Sequence, residues 1–229
     1  MMARDDVFLV RHSSLPAVGE SNAERAVLNR MGFQVVVDFF DQLALAGMTF
    51  HMQIGTEDAP VDSTTSIDDA LVWMIADGTA GYAMIPLLYE VNVATHTTAT
   101  LYNTMLELDK DIVRYSSGGT AYVPANLRSD DVAAANGSSK FFVGTDITAA
   151  AKSAVPNTIE FARSTLTEDV ITTSTGVSNI NREIYSAKSR PIAVLIDAAS
   201  ILCHHGTATA DAGSYGVLQF AQFAKALVV

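Results

Sequence analysis

At 229 residues the chain can form one large all-β domain or two small ones, and it can bury a core without covalent staples. Apolar residues make up 49% and charged residues only 17%, against roughly 25% charge in an ordinary soluble domain. The balance of 25 acidic to 14 scattered basic residues, net −11, excludes a phosphate-gripping nucleic-acid surface, and the single Cys203 excludes an internal disulfide framework.

No apolar run approaches the roughly 20 residues of a membrane helix. The opening MMARDD lacks the charged-then-apolar pattern of an export signal, so neither membrane insertion nor general secretion is expected. A surface this poor in charge points instead to a chain buried against other copies or partners.

Along the chain, residues 1–20 read as an arm or first strand, punctuated by Pro16 and Gly19. Ser21 to Glu24 fits a capping box and Gly32 a stop, which predicts a short helix over 22–31. From Gly32 the texture turns to strands, so a single sandwich domain is expected over 32–229 behind the arm of 1–31. Phe33 to Phe40 is β-branched and aromatic. Met48 to Ile54 alternates, with Met48, Phe50, Met52 and Ile54 on one face and Thr49, His51 and Gln53 on the other. Ala70 to Ala76 is a continuous apolar run, expected to be buried on both faces. Asp77-Gly78 reads as a hairpin turn that folds Tyr82 to Val93 back against it, with Pro86 demanding an edge or a bulge.

Thr98 to Leu108 alternates again, with Met105 and Glu107 opposite Tyr102, Thr104, Leu106 and Leu108. Ser116 to Gly119 suggests a hairpin between Ile112 to Tyr115 and Thr120 to Val123. A short helix is expected over 129–136 and another from Asp146 through Ala154, after a short strand at Lys140 to Val143. Strands are expected at Thr158 to Arg163, Val170 to Thr173, Glu183 to Tyr185, Ile192 to Ile196, Ser200 to His204 and Tyr215 to Phe223. The apolar tail AKALVV is expected to dock, on its own chain or a neighbour. Short strands with frequent turns and few helices predict an all-β, jelly-roll-like antiparallel sandwich with short helices in loops.

Candidate chemistry is sparse, and no catalytic, cofactor or metal residue is assigned. Cys203-His204-His205 is the densest cluster of soft ligands, but adjacent ligands close a tetrahedral site poorly; His12, His51 and His96 would have to come near. The acidic pairs Asp68-Asp69, Asp130-Asp131 and Asp109/Asp111 sit in turn-like contexts that suit solvated loops, with calcium as the sharper reading. No nucleophile elbow or phosphate loop is present, and Gly118-Gly119 and the stretch Gly206 to Gly216 match neither glycine-rich fingerprint. Trp73 lies in the most apolar run and reads as core. A sugar-binding face would instead need Trp73, Tyr82, Tyr89 and Tyr102 exposed together.

The segments GFQVVVDFF (32–40), MTFHMQIG (48–55), ALVWMIADG (70–78) and GYAMIPLLYEVNV (81–93) carry a resemblance. With their Thr/Ser/Ala-rich loops and acidic, lysine-poor balance, they resemble single jelly-roll major capsid proteins of tailless icosahedral viruses. The nearest in character are those with an internal membrane that infect thermophilic bacteria or haloarchaea. The likeness spans roughly 32–223 and is one of pattern. It implies a virion location, many copies of the chain as its own partner, other capsid proteins or an internal membrane as further contacts, no enzymatic activity and no cofactor. The absence of an Arg-rich arm suits a shell that does not touch its genome. A carbohydrate-binding sandwich, or a spike or decoration protein, is the alternative.

Overall fold

A computed structural model of the chain describes residues 39–62, 71–96, 100–130, 140–154, 157–168, 180–207 and 212–227. The expected helix over 22–31, residues 131–136 of the one expected over 129–136, the strand at 170–173, and Asp68, Asp69 and His12 lie outside the described residues; Ser129 and Asp130 form a turn.

Eight principal strands make two antiparallel sheets packed face to face. In chain order they are β1 (Thr49–Ile54), β3 (Leu71–Asp77), β4 (Tyr82–His96), β5 (Thr100–Asp109), β10 (Thr158–Glu168), β11 (Ile180–Ser186), β13 (Ser200–Thr207) and β14 (Ala212–Ala224). Sheet one runs β11-β4-β14-β1 and sheet two β10-β5-β13-β3. This interleaving is the strand order of a jelly roll, two Greek keys folded over one another. Short strands extend the edges. On sheet one, β8 (Ala125–Asn126) pairs with β1, β2 (Val61–Asp62) with β14, and β12 (Leu195–Ile196) with β4. On sheet two, β9 (Phe141–Ala149) pairs with β3, and β6 (Tyr115–Ser117) and β7 (Thr120–Ala121) pair with β9.

The alternation read for 48–54 holds from Phe50 on: Phe50, Met52 and Ile54 are buried in the inter-sheet core, while His51 and Gln53 lie half-exposed on the outer face. Met48, expected on the core side, instead packs with the outer cluster around Leu43, and Thr49 is buried. In β3, Val72 through Asp77 are all buried, as a strand covered on both faces requires. In β5, Tyr102, Leu106 and Leu108 point inward and Glu107 outward. The core closes with Phe220 against Phe50 and Phe141, ring centroids 5.8 and 5.4 Å apart. Pro86 sits opposite a register shift at Gln219/Phe220, and on its other side β12 has ended at Met84 and β11 begins only at Leu88. The bulge and the gap spare the ladder the donor that proline lacks.

Four expectations are corrected. Phe39–Leu45 is a helix, α1, rather than the end of a strand. Gly47 at φ 68° stops it, and the bonds Met48 N→Leu43 O and Gly47 N→Ala44 O form the two-bond closure of a helix C-terminus. Leu43 then seals Ala83, Ile85, Ala221 and Phe223 on the outer face of sheet one. Asp77-Gly78 does not turn a hairpin: β3 and β4 belong to different sheets, so the segment crosses the sandwich. Gly78 N donates to Ala199 O, and a Cβ at Gly78 would lie 2.3 Å from Asp197 O.

β6 and β7 do not pair with each other but lie end to end along β9. Finally, Asp146 caps no helix. β9 runs through to Ala149 because Ile147 and Ala149 are buried, while Asp146 Oδ1 accepts from Gly119 N at 2.9 Å. The expected tail docking is seen for Lys225–Leu227, a 3-10 turn on its own chain: Lys225 N donates to Gly81 O and Leu227 packs beside Phe223.

The turn between β6 and β7 requires glycine. Gly118 and Gly119 have φ of 78° and 66°, and a Cβ would meet Asp146 O at 2.1 Å and the Ile147 side chain at 2.6 Å. Left-handed backbone alone costs a side-chain-bearing residue about 1–3 kcal/mol. Gly119→Ala is therefore expected to lower the thermal midpoint by several degrees; an unchanged melt would disprove the close approach.

Candidate functional site

The most highly organised polar region lies on the outer face of sheet two, at the ends of β3, β13 and β5. Register places Asp77, Ser200 and Asp109 side by side in one row, with Ile75, Leu202 and Glu107 in the next outward-facing row. The segments 110–115 and 150–154 fold over these rows. Arg114 lies beneath them, its side chain wholly buried. Its Nη1 reaches Glu107 Oε1 at 3.0 Å and Asp109 Oδ2 at 3.5 Å, and its Nε donates to Ala150 O at 2.7 Å. Lys152 Nζ reaches the other Glu107 oxygen at 2.8 Å.

The two aspartates act as staples. Asp77 accepts from the Arg114 and Tyr115 amides at 3.1 and 3.0 Å and from Ser200 Oγ. Burial pushes its carboxyl up from the usual range, opposed by the Ser200 and backbone hydrogen bonds. Burial acts the same way on Asp109, but donors from Ser153, Asp111 and Thr158 outweigh it and hold that carboxyl low. Asp109 is therefore a buried acceptor, not the solvated turn residue its sequence context suggested, and only Asp111 beside it is exposed. Asp130 does sit at the surface, in an ion pair with Arg128. Arg114 was not legible as a partner, because its position over β5 is set by the tertiary path of 110–115. The available signal was two carboxylates on successive outward positions of β5.

Cys203, His204 and His205 alternate across β13 and do not converge. Cys203 enters the inter-sheet core, where burial drives its thiol well above the usual range. His205 is also inward, 4.8 Å from the Trp73 ring and stacked on Tyr102 at 5.6 Å. Its nitrogens meet Thr104 Oγ1 at 2.9 Å and Ser214 Oγ at 3.1 Å. His204 faces the opposite side, with Nδ1 on Leu71 O at 2.8 Å and a buried Nε2 that makes no hydrogen bond among the described residues. Burial lowers the pKa of both rings, that of His205 to about 3. His51 lies on the far side of the sandwich, outside sheet one. Among the described residues no group of three or more His, Cys, Asp or Glu side chains is arranged to hold a metal ion.

The Ser214–His205–Thr104 array places a hydroxyl beside an imidazole, but all three side chains are sealed in the core. A ring of pKa about 3 is also far from that of a general base at neutral pH. The aromatic platform fails similarly: Trp73, Tyr89 and Tyr102 are buried and only Tyr82 is partly exposed. Trp73 fills the core against Gly216, where a Cβ would lie 2.6 Å from its ring. An open cleft of about 570 Å³ lies between the β1–β2 turn and β9, lined by Gln53, Pro60, Val61, Asp62, Thr120 and Asp146 among others; among the described residues no histidine or cation lines it.

No family model, no curated protein and no solved structure matches this chain, so its function rests on the fold, the packing and the surface just described.

Proposed function

We propose that the chain is a structural virion protein, the major subunit of a self-assembling icosahedral shell. The observation that carries this reading is a jelly-roll sandwich whose charge-poor surface leaves large apolar side chains in the open. Leu45 is 68% exposed and Val123 65%, and Leu127, Ile192 and Val194 each exceed a third. Large exposed apolar residues grouped together mark surfaces that meet other protein. The jelly-roll order itself serves shells, lectins and small-molecule enzymes alike, so it supports the reading without deciding it. The buried charge cluster and the sealed histidines suit rigid packing rather than turnover. Acidic charge suits a shell whose inner contacts are protein or an internal membrane rather than nucleic acid.

The test is particle size. Light scattering after gel filtration, with negative-stain microscopy of the same peak, should give closed shells or regular many-copy assemblies of the purified chain. A clean monomer or dimer at modest salt would overturn self-assembly and turn attention to a carbohydrate-binding or decoration module.

A further inference from the structure

Sheet two carries an apolar cluster on its outer side. Val72, Ile75, Ile147, Ala149 and Leu202 are buried there, and the stacked rings of Tyr115 and Phe142 pack against them. An antiparallel sheet commonly leaves such a face polar and open to water. Here the segments 110–115 and 150–154 take the place of water. They are tied to each other: Ala150 N donates to Arg114 O at 2.6 Å, and Arg114 Nε donates to Ala150 O at 2.7 Å.

Carboxylates of the sheet hold this strap down. Asp109 accepts from the Asp111, Ile112 and Ser153 amides at 3.1, 3.4 and 3.0 Å. It also accepts from Ser153 Oγ, Thr158 Oγ1 and Arg114 Nη1. Glu107 pairs with Arg114 and Lys152, and Asp77 takes the Arg114 and Tyr115 amides.

The two aspartates differ in what a proton would do. Asp77 touches no cation. Ser200 Oγ, which donates to it, also lies 3.0 Å from Ile112 O and can donate there instead, so a proton on Asp77 finds the Ser200 oxygen as its acceptor. Asp109 is met by backbone amides and a guanidinium, which can only donate. Arg114 cannot shed its proton. Once Glu107 and Asp109 are neutral, its buried charge has no anion, and the segment that carries it must lift for the guanidinium to reach water.

The other charges around the cluster favour release in acid. Lys140 acts on Asp77, and His204 faces Glu107, Lys152 and Arg114. Glu160 of β10 is paired with Arg163 and feels Lys152, while Lys110 and Asp111 are exposed where the strap begins. Acid neutralises the carboxylates and leaves the lysines and Arg114 charged.

We infer that 110–115 and 150–154 form an acid-released strap, which lifts from the outer face of sheet two as one piece while the sandwich beneath stays folded. Asp109 is its catch and Asp77 is not. The device is independent of whether the chain builds a shell. Donors outweigh burial at Asp109 and hold it below the ordinary 3.8, so its share of the hold is present above that pH and lost below it. Asp77, raised by burial, takes its proton earlier and without release.

Hydrogen exchange of the full chain, corrected for the intrinsic rate at each pH, tests this amide by amide. The amides of Asp111, Ile112, Arg114, Tyr115 and Ser153 should be protected at neutral pH. They should lose protection by about tenfold or more in acid while those of Leu106 and Cys203, in the middle of sheet two, keep theirs. Trp73, the single tryptophan and wholly buried, reports the core, and its emission should not shift over the same range. Asp109→Asn should expose the strap amides already at neutral pH. Asp77→Asn should leave them protected, because a carboxamide still offers Tyr115 an acceptor and Ser200 a donor. Strap amides that hold until the Trp73 emission shifts would overturn the strap, and the wild-type acid series decides this alone should Asp109→Asn not fold. A folded Asp109→Asn with a closed strap, or an Asp77→Asn that opens it equally, would overturn Asp109 as the catch.

Discussion

Arg114→Met should destabilise the sandwich by about 3–5 kcal/mol, the cost of breaking a buried ion pair by removing one partner. The arginine is wholly enclosed, and it touches Glu107, Asp109 and the Ala150 carbonyl at once. Its loss takes the donor from Glu107 Oε1 and from Ala150 O, while Lys152 and Ser153 still hold the segment 150–154 to Glu107 and Asp109. Urea unfolding at neutral pH reads the loss directly. The cause is separable from mere packing: Arg114→Met/Glu107→Gln should recover a large share of the stability, because a neutral amide is far cheaper to bury than an unpaired carboxylate. A single-variant loss below 1 kcal/mol, or a double variant no better than the single, would mean the cluster is solvated and structurally idle.

Acid should weaken the protein well before its exposed carboxylates protonate fully, and His205 should be the main cause. In the fold its pKa falls to about 3 through burial, whereas the unfolded ring titrates near the ordinary 6.5. A depressed histidine gives stability that is complete above 6.5 and is lost as pH falls toward 3, because the unfolded chain then binds the extra proton. The slope approaches 1.4 kcal/mol per pH unit, or about 2–3 kcal/mol lost by pH 4.5. His204 adds to the loss in the same direction, lowered chiefly by burial and also by Lys152 and Arg114, with Glu107 opposing. Asp109 and Glu160, held low, add a further loss at lower pH, whereas the raised Asp77 opposes it. His205→Gln should flatten the limb between pH 6 and 4.5 in urea titrations. Should that variant not fold, imidazole resonances of the wild type give the same answer. A ring that titrates near 6 in the folded protein would sink the prediction.

The sequence made strands visible where the two-residue period is strict, as in β1 and β5, and where an apolar run is too long for one exposed face, as in β3. The Pro86 bulge was also legible, since proline's missing donor admits few solutions. Sheet membership was not. Asp77-Gly78 has the chemistry of a tight hairpin, yet the Asp77 carboxylate bonds Arg114, Tyr115 and Ser200 and the chain crosses to the other sheet. Gly118-Gly119 does turn the chain, but β9 outcompetes the hairpin for both flanking strands. Phe39 and Phe40 favour strands by propensity, and the closing bonds at Gly47 win locally for helix. The polar cluster escaped notice for a related reason: residues 77, 109, 114, 153 and 200 are brought together only by the finished fold.

The place of β14 has a consequence for how the protein is made. It is the central strand of sheet one, bonded along its length to β4 and to β1 and β2, and it is the last of the eight principal strands in chain order. Thr49 pairs with Ala221, roughly 170 residues downstream. β1 must therefore wait until β14 has been synthesised for the strand that completes its ladder. Such long-range pairing gives slow folding, in milliseconds to seconds, and leaves strand edges open meanwhile. Until β14 has emerged from the ribosome, sheet one is unfinished, and β1 and β4 lack the strand that joins them.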